Sequence, residues 1–165
     1  MQLKGKVWTF GDSIDTDVII PHIYLSTSDP EELVIHAFES IFENFYLQAK
    51  PGDIIVAGKN FGTGSSREEA VYVLKQIGIK AVIADSIARI YFRNLINLGI
   101  YAIQIDGISK NIKNGDNLSV DCEKGIISNL TTSQEFKFQR FPEYILNLVK
   151  NGGTINYIRN QLGKH

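Results

Sequence analysis

Residues 53–69 read Asp53-Ile54-Ile55-Val56-Ala57-Gly58-Lys59-Asn60-Phe61-Gly62-Thr63-Gly64-Ser65-Ser66-Arg67-Glu68-Glu69. An apolar run of strand length passes into a glycine-rich turn. The turn opens onto the hydroxyl and acidic residues that commonly start helices. Asp53 to Ala57 carries an unbroken apolar run from Ile54 on, without alternation, which predicts a strand covered on both faces. From Ser65 to Ile77 the spacing predicts a helix, with Ala70, Val73, Leu74 and Ile77 on one face. Ser65 or Ser66 is its natural N-cap, with Glu68 and Glu69 near the capping-box position.

The same alternation continues outward. Lys80 to Ala84 reads as a second buried strand. Ser86 to Leu98 reads as a helix with Ile87, Ile90, Tyr91, Leu95 and Leu98 inward, stopped by Gly99. Ile100 to Ile105 reads as a further strand. On the N-terminal side, Lys6 to Phe10 is a short strand. It leads into Gly11-Asp12-Ser13-Ile14-Asp15-Thr16-Asp17, a loop with three carboxylates, and Pro21 ends any ladder after Val18-Ile19-Ile20. Ser28-Asp29-Pro30-Glu31-Glu32 has the signals of a helix start. Val34, Ala37, Phe38, Ile41, Phe42 and Phe45 then form a core-facing stripe. After Asp106 the texture changes to three short strands, Leu118 to Cys122, Gly125 to Asn129 and Glu135 to Gln139, separated by turns. Two short helices, Pro142 to Val149 and Thr154 to Leu162, close the chain. The expected fold is α/β: central strands alternating with helices plus a C-terminal antiparallel β segment, in one domain over residues 1–165.

Composition narrows the function. The chain has 165 residues, 44% hydrophobic and 21% charged, with a net charge of −1. That balance argues against a nucleic-acid partner, which calls for a basic face. No apolar run approaches the roughly 20 residues that span a bilayer. The first seven residues lack the apolar core of a signal peptide, so the expected location is cytoplasmic. Cys122 stands alone, and His22, His36 and His165 are widely spaced. No metal ligand set is expected in this chain, since zinc and iron–sulfur sites call for several thiolates or imidazoles.

The glycine-rich turn carries the chemistry. Three glycines allow close backbone approach, and a following helix start offers unpaired N–H groups. Arg67 can hold a carboxylate in a two-pronged contact. Ser65 and Ser66 sit beside it. The segment therefore reads as a site for an anionic, carboxylate-bearing ligand, and equally as an ordinary capped turn. It lacks the Gly-Lys-Ser/Thr ending of a phosphate-binding loop and the spacing of a dinucleotide fingerprint.

Gly58 to Glu68 closely resembles the signature of the swivelling domain of the aconitase superfamily. Gly11 to Pro21 is similar to that family's N-terminal motif, and Ser86-Ile87-Ala88-Arg89-Ile90-Tyr91-Phe92-Arg93-Asn94 to a third family block. Together they cover the first two thirds of the chain. The resemblance implies a β/β/α domain that works as the small subunit of a two-chain hydro-lyase. In this family, stand-alone chains of this size serve 3-isopropylmalate dehydratase or homoaconitase. The implied partner is a large subunit carrying a [4Fe–4S] cluster, whose iron acts as a Lewis acid on the leaving hydroxyl. The implied substrate is a small 2-hydroxy di- or tricarboxylate, dehydrated and rehydrated on the neighbouring carbon. Carried over by position, Ser65 is the base, and Ser66 and Arg67 bind a substrate carboxylate beside Gly64. Asp17 matches an active-site acid.

Tyr24-Leu25-Ser26-Thr27 aligns with the family's specificity loop. An arginine at its third position would suit a third carboxylate. Ser26 supplies no such partner, so the resemblance favours isopropylmalate, with homoaconitase or methylated-malate dehydratase chemistry as the enzyme alternatives. A carboxylate-binding module and a purely structural subunit are the non-catalytic alternatives. Self-association of the isolated chain stays open. Asp12 and Asp15 read first as turn formers. Arg89 and Arg93 read as solvated or subunit-facing, His22 as a surface loop residue, His36 as exposed, and Cys122 as core without reactivity.

Overall fold

A computed structural model of the chain describes residues 2–163; His165 lies outside them. One seven-stranded mixed sheet runs through the molecule. Its strands are β1 (Gln2–Phe10), β2 (Ile54–Ala57), β3 (Ala81–Ala84), β4 (Tyr101–Gln104), β5 (Asn117–Asp121), β6 (Ile126–Asn129) and β7 (Glu135–Lys137). Their order across the sheet is β4-β3-β2-β1-β5-β6-β7. β1 to β4 are mutually parallel, and β5, β6 and β7 continue antiparallel.

β1 joins the two halves and is longer than Lys6 to Phe10. Its second half, Val7–Phe10, pairs with β2, while Gln2–Lys6 pairs with β5. The first half is polar on one face because an antiparallel ribbon leaves one side to water. β2 and β3 are buried at every position, as parallel strands covered on both sides must be. Each fully buried isoleucine among them contributes roughly 1.5–3 kcal/mol.

The parallel strands are connected by α4 (Glu69–Ile77) and α5 (Arg89–Asn97), and the chain ends in α6 (Glu143–Lys150) and α7 (Thr154–Leu162). Earlier come three short helices, α1 (Thr16–Ile19), α2 (Pro30–Val34) and α3 (Phe45–Gln48), with a 3-10 turn at His22–Tyr24. The stripe from Val34 to Phe45 does not form one helix. The chain breaks at Phe38 and Asn44, both in the left-handed region with φ of 57° and 55°. The break lets Phe38 and Phe45 turn fully inward, Phe38 stacking on Phe10 and Phe45 edge-on to both, while Trp8 meets Phe42 and Phe45 edge-on. Ile41 is left 51% exposed. A straight helix would have kept the stripe but could not have wrapped this aromatic cluster.

On α5, Tyr91, Leu95 and Ile96 are buried, but Ile90 is 54% exposed, contrary to its expected inward place. Ile87 precedes the helix and is buried. Phe61 and Ile87 form a parallel bridge, so α5 starts later and its face is rotated. In the antiparallel half, buried Asn129 donates to Asp116 at 2.8 Å and accepts from the amides of Thr131 and Thr132, pinning the turn after β6.

Candidate active site

The loops that follow β1, β2 and β3 leave the sheet at the same end, the C-terminal ends of parallel strands. That is where open α/β sheets place their binding crevices. These loops are the three segments singled out in the sequence. Hydrogen bonds stitch them together: Gly62 N donates to the Ile14 carbonyl at 2.7 Å, and Thr16 N to the Thr63 carbonyl at 2.8 Å. Ala88 N donates to the Phe61 carbonyl at 2.9 Å. Thr16, 2% exposed, also donates its hydroxyl to the Ser65 carbonyl at 2.9 Å. This last bond spans 49 residues. No local sequence signal marks it, and sequence reasoning missed Thr16.

Gly62 has a φ of +80°, and a Cβ there would lie 2.2 Å from the Tyr91 ring. Only glycine lets the loop lie against that ring, whose hydroxyl donates to the Ala70 carbonyl at 2.8 Å. Burial pushes the Tyr91 phenol well above its ordinary pKa, so it stays a donor and a structural prop.

Ser65 and Ser66 are not the cap of the following helix. α4 begins at Glu69, and its N-cap residue Glu68 makes no side-chain cap bond. The bonds from Thr16 hold residues 63–65 against the first loop, so the chain cannot turn helical until past Arg67. The field of a helix end falls off within its first turn. It therefore acts more weakly on Ser65 than a capping position would imply.

Ser65, Ser66 and Arg67 line a cavity of about 270 Å³ together with Thr16, Gly64, Arg89, Ile90 and Asn94. Arg89, read as solvated or subunit-facing, is exposed and also borders the cavity. Ser65 and Ser66 are exposed, and the Arg67 side chain is mostly covered. Arg67 Nη1 is buried without a hydrogen-bond partner. It lies 3.6 Å from Asp17 Oδ1, close enough for attraction but too long for a hydrogen bond. A buried guanidinium donor left open is costly unless a ligand completes it.

Asp17 itself is held by His22, whose amide and Nδ1 each lie 2.9 Å from Oδ1. The amide bond first, then the imidazole, holds the Asp17 carboxyl below its ordinary range, with Arg67 adding a smaller attraction. Asp17 is therefore ionised at neutral pH and cannot supply a proton there in this arrangement. Asp15, read as a turn former, caps α1 by accepting from Val18 N at 3.0 Å, whereas Asp12 accepts from Lys59 N at 2.7 Å, 47 residues away, and so ties its loop to the glycine-rich turn rather than forming a local turn.

The segment from Tyr24 to Thr27 stands apart from this cavity. Leu25 and Thr27 line a neighbouring depression of about 280 Å³ with Pro30, Leu33, Glu68, Glu69 and Tyr72. Ser26 is exposed. Tyr24 is anchored: its ring stacks on His36 with centroids 3.5 Å apart. Its hydroxyl bonds Glu39, which lowers the Glu39 carboxyl and raises the Tyr24 phenol. His36, with Nδ1 at 2.7 Å from Glu39 Oε2, is thus partly covered rather than exposed. The fold brings it under Tyr24 from beyond α2.

Among the described residues no group of His, Cys, Asp and Glu could hold a metal ion. Cys122 is buried, and burial first, then the neighbouring Asp121 charge, pushes its thiol up to about 12. This donor set does not fit an iron–sulfur cluster. Among the same residues no helix is long and apolar enough to cross a membrane.

Comparison with known proteins agrees with this fold. Residues 28–108 match the aconitase C-terminal domain. The 3-isopropylmalate dehydratase small subunit of Clostridium beijerinckii is 51% identical, over 98% of this chain and 100% of its own. That of Clostridium botulinum is 48% identical over the same shares. A crystal structure of 3-isopropylmalate dehydratase from Methanocaldococcus jannaschii is 44% identical, with a TM-score of 0.90 over 98% of this chain and 96% of that one. By sequence along its whole length and by fold, the chain belongs to the 3-isopropylmalate dehydratase small-subunit family, hydro-lyase subunits of the aconitase type.

Proposed function

We propose that this chain is the proton-handling half of an enzyme that converts 2-isopropylmalate to 3-isopropylmalate by removing and re-adding water. The observation that carries the reading is Arg67: a buried Nη1 donor without a hydrogen-bond partner, in one cavity with Ser65 and Ser66. Arg67 binds one substrate carboxylate, and Ser66 and Gly64 complete that contact. Ser65, as alkoxide, takes the proton from the carbon next to the one bearing the hydroxyl. The C–H electron pair becomes the new C=C bond as the C–O bond breaks and the hydroxyl leaves. Re-addition is the reverse with the positions exchanged: hydroxide bonds to the carbon that lost its proton, and Ser65 returns its proton to the carbon that lost the hydroxyl, regenerating the alkoxide. Asp17 lends its negative charge to keep Arg67 aimed into the cavity.

Serine is a poor base in water, and Ser65 is exposed in this chain. Covering the cavity and excluding water would strengthen the hold of Arg67 on the alkoxide. That requirement supports a two-chain enzyme in which a large subunit closes over residues 62–67. We assign the [4Fe–4S] cluster to that subunit, because this chain carries a single cysteine and no metal-holding group among its described residues. The chain acts as one swivelling domain over residues 1–165, in the cytoplasm. Ser26 offers no cation to a third carboxylate, and Leu25 and Thr27 line the neighbouring depression with an apolar and hydroxyl surface. This favours an alkyl-bearing dicarboxylate.

The test is anaerobic reconstitution with the cluster-bearing subunit, following alkene formation by ultraviolet absorbance. Turnover of isopropylmalate should fall by at least about a hundredfold in Ser65→Ala, the scale of losing a proton-transfer group. Turnover that survives Ser65→Ala moves the base elsewhere. A formed, cluster-loaded complex that turns over no acid removes the hydro-lyase reading and leaves carboxylate binding.

A further inference from the structure

Arg67 can serve a substrate carboxylate only while its donors stay open, and a carboxylate of its own chain stands in reach. Asp17 Oδ1 is 3.6 Å from Arg67 Nη1. A charge-assisted arginine–carboxylate bond relaxes to about 2.7–2.9 Å when nothing opposes it. Closing that gap would satisfy Arg67 internally and put Asp17 in competition with substrate.

The opposing contacts come from residue 22. The His22 amide and His22 Nδ1 both converge on Asp17 Oδ1, the same oxygen that faces Arg67, each at 2.9 Å. An ionised carboxylate only accepts, so Nδ1 carries the proton in this contact. The donors are fixed in place by the chain: Pro21 sets φ at −59° directly before His22, and the 3-10 turn His22–Tyr24 follows it. Asp17 lies in the first turn of α1, whose N-cap Asp15 and buried Thr16 tie it to the loop of Ser65.

We propose that His22 is a positioning residue: by holding Asp17 Oδ1 with its amide and imidazole, it keeps Asp17 from closing on Arg67 and so leaves Arg67 open to a substrate carboxylate. The arrangement gives Arg67 the orienting charge of Asp17 without its hydrogen bond. The proposal rests on the reading of Arg67 as a substrate-binding residue. His22 and Asp17 are both more than half exposed. Removing the imidazole therefore leaves the fold intact and acts on binding.

In the assembled two-subunit enzyme, His22→Ala should raise KM for isopropylmalate about three- to fivefold, the scale of one exposed charge-assisted contact, with any fall in kcat smaller than the rise in KM. His22→Asn, whose amide nitrogen reaches the position of Nδ1, should restore KM. His22→Gln, one bond longer, should not. In an Asp17→Asn background, His22→Ala should change KM no further. An unchanged KM in His22→Ala, a fall in kcat alone, or no rescue by asparagine overturns the proposal.

Crystal structures of the wild-type chain and of His22→Ala give a readout independent of turnover. Asp17 should move to within about 3 Å of Arg67 in the variant. An unchanged gap overturns the proposal even if no acid is turned over. Lack of turnover by the loaded wild-type complex would instead remove the functional reading.

Discussion

Asp17 shows how far one side chain can be read from its neighbours in sequence. Its place in a loop with Asp12 and Asp15 marks three carboxylates alike, yet the structure gives each a different task. Asp12 ties its loop to the glycine-rich turn through Lys59 N, Asp15 caps α1, and Asp17 faces Arg67 while held by His22. Its carboxyl pKa is lowered from 3.8, led by the His22 amide. A carboxylate held low in the folded state contributes stability that is present above its unfolded pKa. That contribution is lost as pH falls through the folded value. A carbon-13 titration of Asp17 should therefore show a midpoint below 3.8, with the site intact throughout the neutral range. A midpoint at or above 3.8 would mean that the His22 contacts do not persist in solution. His22 itself was legible only as a loop histidine, because its contact depends on where the 3-10 turn after Pro21 points its ring.

At the scale of elements, periodicity located the strands and the long helices well and their faces less well. β2 and β3 follow the apolar patterns closely, and α7 spans the expected Thr154–Leu162. The stripe from Val34 to Phe45 has helical spacing but breaks at Phe38 and Asn44. Packing three phenylalanines against Trp8 and Phe10 outweighs the left-handed backbone at two positions. α5 makes the same point about registration. Its buried face runs through Tyr91, Leu95 and Ile96, and Ile90 turns toward the cavity of Ser65 and Arg67. Chemical denaturation of the isolated chain should separate the two positions. Leu95→Ala should cost about 2–5 kcal/mol by leaving a core cavity. Ile90→Ala should stay within about 0.5 kcal/mol, as an exposed position does. Comparable losses at both would restore the inward reading of Ile90.

Across the whole molecule, stability concentrates where the sheet is covered on both faces. β2 and β3 are fully buried, whereas α7 has no buried residue and leaves Ile155, Ile158 and Leu162 exposed. Native-state hydrogen exchange should be slowest in β2 and β3, near the global unfolding limit, and fastest in α7. Protection of α7 equal to that of β3 in the isolated chain would show that the C-terminal helix folds as one unit with the core.

The sequence by itself determined the alternation of strands and helices, the antiparallel close, the glycine-rich turn with its serines and arginine, and the single cysteine. Those follow from side-chain period, turn chemistry and residue counts, which are local. Only the tertiary structure decided that the loops after β1, β2 and β3 meet at one end of the sheet. It alone set Thr16 beneath Ser65, placed Ser65 before α4 rather than at its cap, and left Arg67 with an open donor between Asp17 and the cavity. Each of these is a contact between residues far apart in the chain. Its distance is set by how the sheet stacks its strand ends, and no periodicity or propensity records that.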